Sequence, residues 1–483
     1  MGIVFRQSAR NTLVTYFGFA IGAINTLFLY TRFLTDEYFG LVGVILSTAT
    51  LLMPVMAFGV PNTLIKFYSR FNNDESSYFL GSMLFFPLIM ILPLGLLSYL
   101  ANEAIGAFLA HKNLIVKGYV WHIFLIGMAM AYFEVFYAWS KVHMRSVFGN
   151  FMKEVFVRIG VTLLLLLLYA EIIDVSFFLN ALAGLYILRT LLMKLVAFSL
   201  EFPRLRIGGH LVTREILTYS LLIILGGSTA IILLEIDRFM INQFIQIENV
   251  AYYTVGIFIA TVVAVPSRAM HQITYPLTAE ILNTGDNDAL KKLYTKSSLT
   301  LFIVAGMIFL LIMLNLPDLY PFLPESYRGG YLVVFLIGLS RVFDAILGNN
   351  NAILFNSRYY RAVLLMGVLL ALATIVLNLI FIPLYQTAGA AMATCIAVFL
   401  YNIAKLVFVW IKFEISPFSN NTIRVLGLLI FIGVLFHALQ FTFHPILNII
   451  LKSALMVIMY AGVLYRFRIS EDINGIVSRW FRK

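Results

Sequence analysis

Tyr78-Phe-Leu-Gly-Ser-Met-Leu-Phe-Phe-Pro-Leu-Ile-Met-Ile-Leu-Pro-Leu-Gly-Leu-Leu-Ser-Tyr-Leu100 is a run of 23 residues without a charge. As an α-helix rising about 1.5 Å per residue, it crosses the roughly 30 Å hydrocarbon core of a bilayer. A run of the same length, charged only at Arg32, extends from Asn11 to Phe33, and other apolar runs follow along the whole chain. Hydrophobic residues make up 61% of the sequence and charged residues 12%, with a mean hydropathy of +0.94. Soluble domains carry roughly twice that share of charge. The expectation is an all-α polytopic membrane protein.

At about 30–35 residues per helix and turn, the 483 residues predict about fourteen spans. They fall near 11–33, 41–65, 78–101, 118–141, 151–170, 175–193, 217–243, 250–276, 298–316, 330–353, 361–383, 388–411, 423–441 and 446–465. The longest polar stretches are too short for a soluble domain. Arg6 and Arg10 lead into a run too long for a cleaved signal core, so it reads as a first span that stays.

The net charge of +11 is distributed by topology. With the amino terminus inside, alternate loops and adjoining helix ends hold 27 of the 34 Lys and Arg, against 5 on the other side. The remaining two, Arg238 and Arg341, fall within spans. This bias predicts both termini in the cytoplasm, a plasma (inner) membrane location and affinity for anionic lipid, with no nucleic-acid partner. The single cysteine, Cys395, lies in an apolar span and makes no intramolecular disulfide.

The chain also reads as two related halves. Phe33-Leu-Thr-Asp-Glu37 links spans one and two, and Phe244-Ile-Gln-Ile-Glu248 links spans seven and eight at a constant offset. The loops Asn72-Asn-Asp-Glu-Ser76 and Thr284-Gly-Asp-Asn-Asp288 correspond further on. The predicted organisation is a six-helix bundle over 1–205, a parallel-related six-helix bundle over 206–415, and two added helices with a basic tail over 416–483. Asp286 is placed to cap a short amphipathic surface helix bearing Leu290, Leu293 and Tyr294 on one face.

Charges inside spans point to function, because each costs about 2.5–3.5 kcal/mol at mid-bilayer on insertion scales. Arg341 and Asp344 share a face of span ten, with Asn351 on the same side. Glu235, Arg238 and Asn242 share a face of span seven, whereas Asp237 points elsewhere. Glu134 and Tyr137 lie on span four, and Asn25 lies in the first. Each admits a bland reading: a self-satisfied pair for Arg341 and Asp344, snorkelling for Arg238, a bond to a neighbouring helix for Glu134. The sequence shows no Gly-rich phosphate loop, no His pair at metal spacing and no Cys cluster. No catalytic residue, metal or cofactor is therefore expected, and the chain is not read as an enzyme.

Three stretches together resemble the polysaccharide-transporter flippases, a branch of the superfamily that also holds multidrug extruders and lipid II flippases. They are Arg32-Phe-Leu-Thr-Asp-Glu-Tyr-Phe-Gly40; Asp237-Arg238-Phe-Met-Ile-Asn with Ala251-Tyr-Tyr-Thr-Val-Gly256; and Leu377-Asn378-Leu-Ile-Phe-Ile-Pro383-Leu-Tyr-Gln-Thr-Ala-Gly389-Ala-Ala-Met-Ala393-Thr394. The third departs from the family pattern at Gln386, where Gly is usual after Tyr, which bears on turn geometry.

The resemblance implies alternating access for a polyprenyl-diphosphate-linked oligosaccharide, moved from the cytoplasmic to the outer leaflet. The guanidinium fork suits phosphate oxygens, so Arg341 and Arg238 are the expected diphosphate contacts. Asp344, Glu235 and Glu134 are expected to couple an H⁺ or Na⁺ gradient or to pair with cations. Asn25, Asn351 and Tyr137 are expected to offer polar or sugar contacts. A polysaccharide polymerase and glycosyltransferases are the implied partners. An organic-cation antiporter and a lipid II flippase are the alternatives within the superfamily.

Overall fold

The computed structural model describes residues 2–204, 213–226, 229–439 and 441–469. Among them the secondary structure is helical throughout, with no strand. Among the described residues, eleven helices are long and apolar enough to cross a membrane. Three differences separate this number from the fourteen spans expected. Residues 360–413 form one 54-residue stretch, broken only by the non-helical backbone of Gln386 (φ 54°, ψ −131°). The fifth expected span, over 151–170, carries Lys153, Glu154 and Arg158 and passes through a π-helical turn. The seventh crosses 227–228, which lie outside the described residues.

The chain divides into two compact units. The first comprises Met1–Thr254 and Asn378–Thr387, and the second Val255–Leu377 and Ala388–Lys483.

The first unit is built on α1 (Gly2–Ile24), α2 (Asp36–Met56), α3 (Val120–Val142), α4 (Val157–Tyr169), α5 (Val175–Leu200) and α6 (Thr229–Phe244). Thr35 caps α2 through Tyr38 N–H, and Asp36 and Glu37 fill its first turn, where carboxylates suit the helix dipole. Phe67, Phe79, Phe133 and Trp139 are fully buried in its core. Thr190 Oγ1 on α5 donates to the Ala129 carbonyl on α3 at 2.7 Å.

Glu201, just past α5, gathers one end of this unit. It accepts hydrogen bonds from Ser76 (2.7 Å), Ser77 (2.6 Å), Tyr68 (2.7 Å) and the His143 ring (3.0 Å). Burial pushes the Glu201 carboxyl up, but the bonds from Ser77, Tyr68, Ser76 and His143 together outweigh it and hold the group below its ordinary 4.5. Tyr68 is pushed up to about 12, by burial first and then by its bond to Glu201.

The motifs quoted above meet in this unit. Asp237 is buried and accepts from Tyr253 Oη and from Asn378 Nδ2 (2.8 Å). Asp36 accepts from Tyr252 Oη at 2.9 Å. The family-like residues are thus helix-to-helix fastenings, consistent with the high cost of an unpaired carboxylate in a dry interior.

The second unit contains α7 (Asn287–Leu319), α8 (Tyr331–Ile346), α9 (Tyr360–Phe413) apart from its Asn378–Thr387 segment, α10 (Asn420–Ala438) and α11 (Pro445–Arg466). Asp286 caps α7 as the sequence predicts, its carboxylate accepting from Ala289 N–H at 2.9 Å. The short surface helix expected there is instead the first turns of this 33-residue helix, and Leu290 and Tyr294 are buried against Ile353, Leu354 and Val363. Nothing in the local sequence ends the helix between Lys292 and the apolar run that follows. The two added helices, α10 and α11, pack on α7 through Val425, Leu429, Met456 and Tyr460. Ala390, Ala391 and Ala393, after the break at Gln386, are fully buried, as small residues at close helix contacts are expected to be.

Candidate functional site

The charged residues of the first unit surround a cavity of about 400 Å³. Its construction begins with two glycines one turn apart on α1. A Cβ at Gly18 would strike the Glu154 backbone carbonyl, and one at Gly22 would sit 3.1 Å from Arg158 Nε. Only glycine lets the 152–158 segment approach this closely. Asn25 follows in a π-helical turn and is buried. Its Nδ2 donates to the Arg158 carbonyl (2.9 Å), and its Oδ1 accepts from Thr162 (2.7 Å). A second π-helical turn, Met152–Phe156, carries Lys153 and Glu154. Single π turns of this kind recur at functional sites.

Glu134, Lys153, Glu154, Arg158, Arg189 and Glu235 line the cavity, with Met53, Met130 and Tyr186 among the remaining wall residues. Lys153 Nζ is 2.5 Å from Glu134, and Arg158 is 3.3 Å from Glu154. Arg238 Nη1 is 2.6 Å from Glu235, which lies three residues earlier on the same helix face. The lining therefore holds three cations and three carboxylates. Arg189 lies near the middle of the 26-residue α5 and is 6% exposed. Its guanidinium stacks over the rings of Phe133 (4.0 Å to the centroid) and Tyr186 (4.8 Å).

Of the residues singled out from sequence, Glu134 and Glu235 line the cavity, and Arg238 pairs with Glu235. Tyr137 is buried beneath the Lys141 ammonium, 3.8 Å from its ring centroid. Asn25 spends its amide on α4. Asn242 bonds to the Leu109 carbonyl and to Asn113. In the second unit, Asp344 and Asn351 both reach one cation, Lys405, at 3.7 Å and 3.0 Å. Arg341 is half-buried one turn before Asp344.

Lys153, Arg158, Arg189 and Lys405 were missed because each was counted as a loop or helix-end cation. The local signals were the Glu154–Arg158 spacing of four and the Gly18–Gly22 pair. Lys452, counted outside, is likewise bound at 3.1 Å to Asp318. Without these five, the basic-residue bias is 23 against 4, so its direction is unchanged.

The model of a polysaccharide biosynthesis protein family matches residues 4–282. The chain belongs to that family. No curated protein matches it. Among solved structures, the fold is similar to a lipid II flippase, MurJ, in an inward closed conformation: TM-score 0.71 and 14% identity, covering 95% of this chain and 99% of the other. It is also similar to an inward-facing multidrug resistance MATE family transporter of the MOP superfamily, with TM-score 0.60 and 14% identity over 84% and 98%. A third is a MOP superfamily transporter from Pyrococcus furiosus described as having a binding pocket of reverse polarity (TM-score 0.54, 14% identity, 85% and 95%). This family member is thus a multi-pass membrane protein with the fold of MOP superfamily transporters.

Proposed function

We propose that the protein is a flippase that carries a polyprenyl-diphosphate-linked oligosaccharide from the cytoplasmic to the outer leaflet of the plasma membrane. The observation that supports this reading is the charged cavity inside the first membrane-spanning unit of a polysaccharide biosynthesis family member. A diphosphate is costly to carry through hydrocarbon, and guanidinium and ammonium groups at membrane depth lower that cost. The two bundles over 1–205 and 206–415 would rock against each other, with 416–483 as an appendage and both termini cytoplasmic. Arg238 and Arg341 are assigned to the diphosphate path. Glu134, Glu235 and Asp344 are assigned to charge pairing or to coupling with an ion gradient. A polymerase and glycosyltransferases acting on the same lipid-linked glycan are the partners this role requires.

Mass spectrometry of lipid extracts from cells lacking the protein tests the reading. The expected result is accumulation of a polyprenyl-diphosphate oligosaccharide, whose sugars name the cargo and separate a lipid II role from other glycans. Unchanged lipid-linked pools would overturn it. Three carboxylates on the cavity wall favour a second reading, an organic-cation antiporter. That reading predicts drug hypersensitivity and normal lipid-linked pools in the same cells.

A further inference from the structure

The three cations and three carboxylates of the cavity wall do not pair off among themselves, because Arg238, from outside the lining, takes Glu235. Lys153 is matched by Glu134, Arg158 by Glu154, and Glu235 by Arg238. Arg189 is the cation left over. Among the described residues no carboxylate lies within ion-pair distance of it and no hydrogen bond meets its guanidinium; its buried Nε has no acceptor. The Glu134 carboxylate acts on it electrostatically but is committed to Lys153. The rings of Phe133 and Tyr186 hold the guanidinium in place without neutralising it.

An enclosed cation of this kind is expensive unless an anion completes it. Among the described residues the wall offers no further anion, and Arg189 lines the cavity. We propose that the cavity is a binding site for a phosphoryl anion, with Arg189 as its anchor and Glu134 as an internal anion that the ligand displaces from Lys153. The planar fork of Arg189 receives two phosphoryl oxygens, and Lys153, released from Glu134, receives a third. Lys153 suits this exchange because its side chain is 44% exposed while still touching Glu134. Glu154 and Glu235 stay on their own arginines and keep a second anion out.

The inference rests on the flippase reading for its ligand class, and it moves the first phosphate contact to a residue the sequence did not single out. It also predicts opposite signs for two neighbouring substitutions, which a purely structural role would not give. Arg189→Gln removes the anchor, whereas Glu134→Gln removes the competitor.

The test is binding to the full chain in nanodiscs, measured with a polyprenyl diphosphate, inorganic pyrophosphate and phosphatidylglycerol as separate probes. The wild type should bind the polyprenyl diphosphate. Arg189→Gln should weaken that affinity about tenfold or more, and Arg189→Lys should fall between the two. Glu134→Gln should tighten it. Competition by pyrophosphate would show that the headgroup alone suffices. Competition by phosphatidylglycerol, lost in Arg189→Gln, would support the site with ordinary lipid as its source. Wild-type affinity in a folded Arg189→Gln would overturn the proposal, as would weakening by Glu134→Gln. Should Arg189→Gln fail to fold, the sign of the Glu134→Gln effect decides alone. Arg189-dependent binding in a protein whose loss leaves lipid-linked pools unchanged would refute the flippase reading and leave the anion site standing.

Discussion

Each unit places a lysine against a carboxylate within its helices, and the two pairs differ in every respect that decides their use. Lys153 and Glu134 touch at 2.5 Å on the wall of a cavity, beside a guanidinium that has no carboxylate of its own. Lys405 is 1% exposed; it sits 3.7 Å from Asp344, with Asn351 at 3.0 Å and the Tyr401 ring 4.3 Å away. The first pair can part, since water or a ligand can take either member. The second lysine has nowhere to go, so its partners serve mainly to keep a buried charge tolerable. Depth in a span is thus a poor guide to function, and access with an uncompensated charge is a better one.

The sharpest way to break this contrast is to remove one partner from each pair. Asp344→Ala should cost about 2–4 kcal/mol, because it leaves Lys405 buried beside an amide and a ring. Adding Lys405→Met should recover most of that loss in thermal unfolding of the detergent-solubilised protein. Glu134→Gln should shift unfolding little by comparison. Equal losses from both carboxylates would erase the distinction. A test of Arg341 must respect the same pair: Arg341→Ala with Asp344→Ala also strips Lys405, so the informative variant adds Lys405→Met before transport is compared.

A smaller effect is expected at the cavity wall. Gly18→Val pushes α1 away from Glu154, at a cost of about 1–3 kcal/mol, and should lower transport with it. Normal transport from a folded Gly18→Val would show that the close approach does not shape the site.

Smaller again is the response to pH. The Glu201 carboxyl titrates below its ordinary value in the folded protein. Its stabilising contribution is therefore full above about pH 4.5 and is lost as pH falls through the lowered folded value. Glu201→Gln should flatten this acid limb in unfolding measured from pH 3 to 7, leaving stability near neutrality lower than the wild type. An unchanged acid limb would mean the hydrogen-bonded carboxylate does not set it.

The smallest change is a control that touches no charge. Gln386→Gly relieves a positive φ that favours glycine and should add about 1 kcal/mol, read as a higher unfolding temperature. It should leave ligand affinity where it was.

The sequence was legible where short-range spacing decides geometry. Arg238 and Glu235 lie on one face at i, i+3 and pair; Asp344 and Asn351 lie on one side and reach the same cation; Asp286 caps a helix; and Gln386, the departure from the family pattern, is one of the non-glycine residues at positive φ. It was illegible where helix length decides depth. Ending span six at 193 made Arg189 a helix-end cation, whereas α5 continues to Leu200 and encloses it. Lys405 looked like an inner flank of span twelve because a lysine that snorkels and one that is buried share the same local sequence. Charge balance on a cavity wall requires knowing which helices face one another, and periodicity within one helix carries no such information.

The knot of Asp237, Tyr253 and Asn378 has a consequence for biogenesis. Asn378 follows Asp237 by 141 residues, and it lies in the 378–387 segment that completes the first unit. At roughly 5–20 residues per second of synthesis, the carboxylate waits about 7–30 s for its amide after entering the membrane. During that interval the bond from Tyr253 can form and the one from Asn378 cannot. A nascent chain halted before residue 378 would lack the Asn378 bond to this buried acid, and its first unit would be missing one of its fastenings.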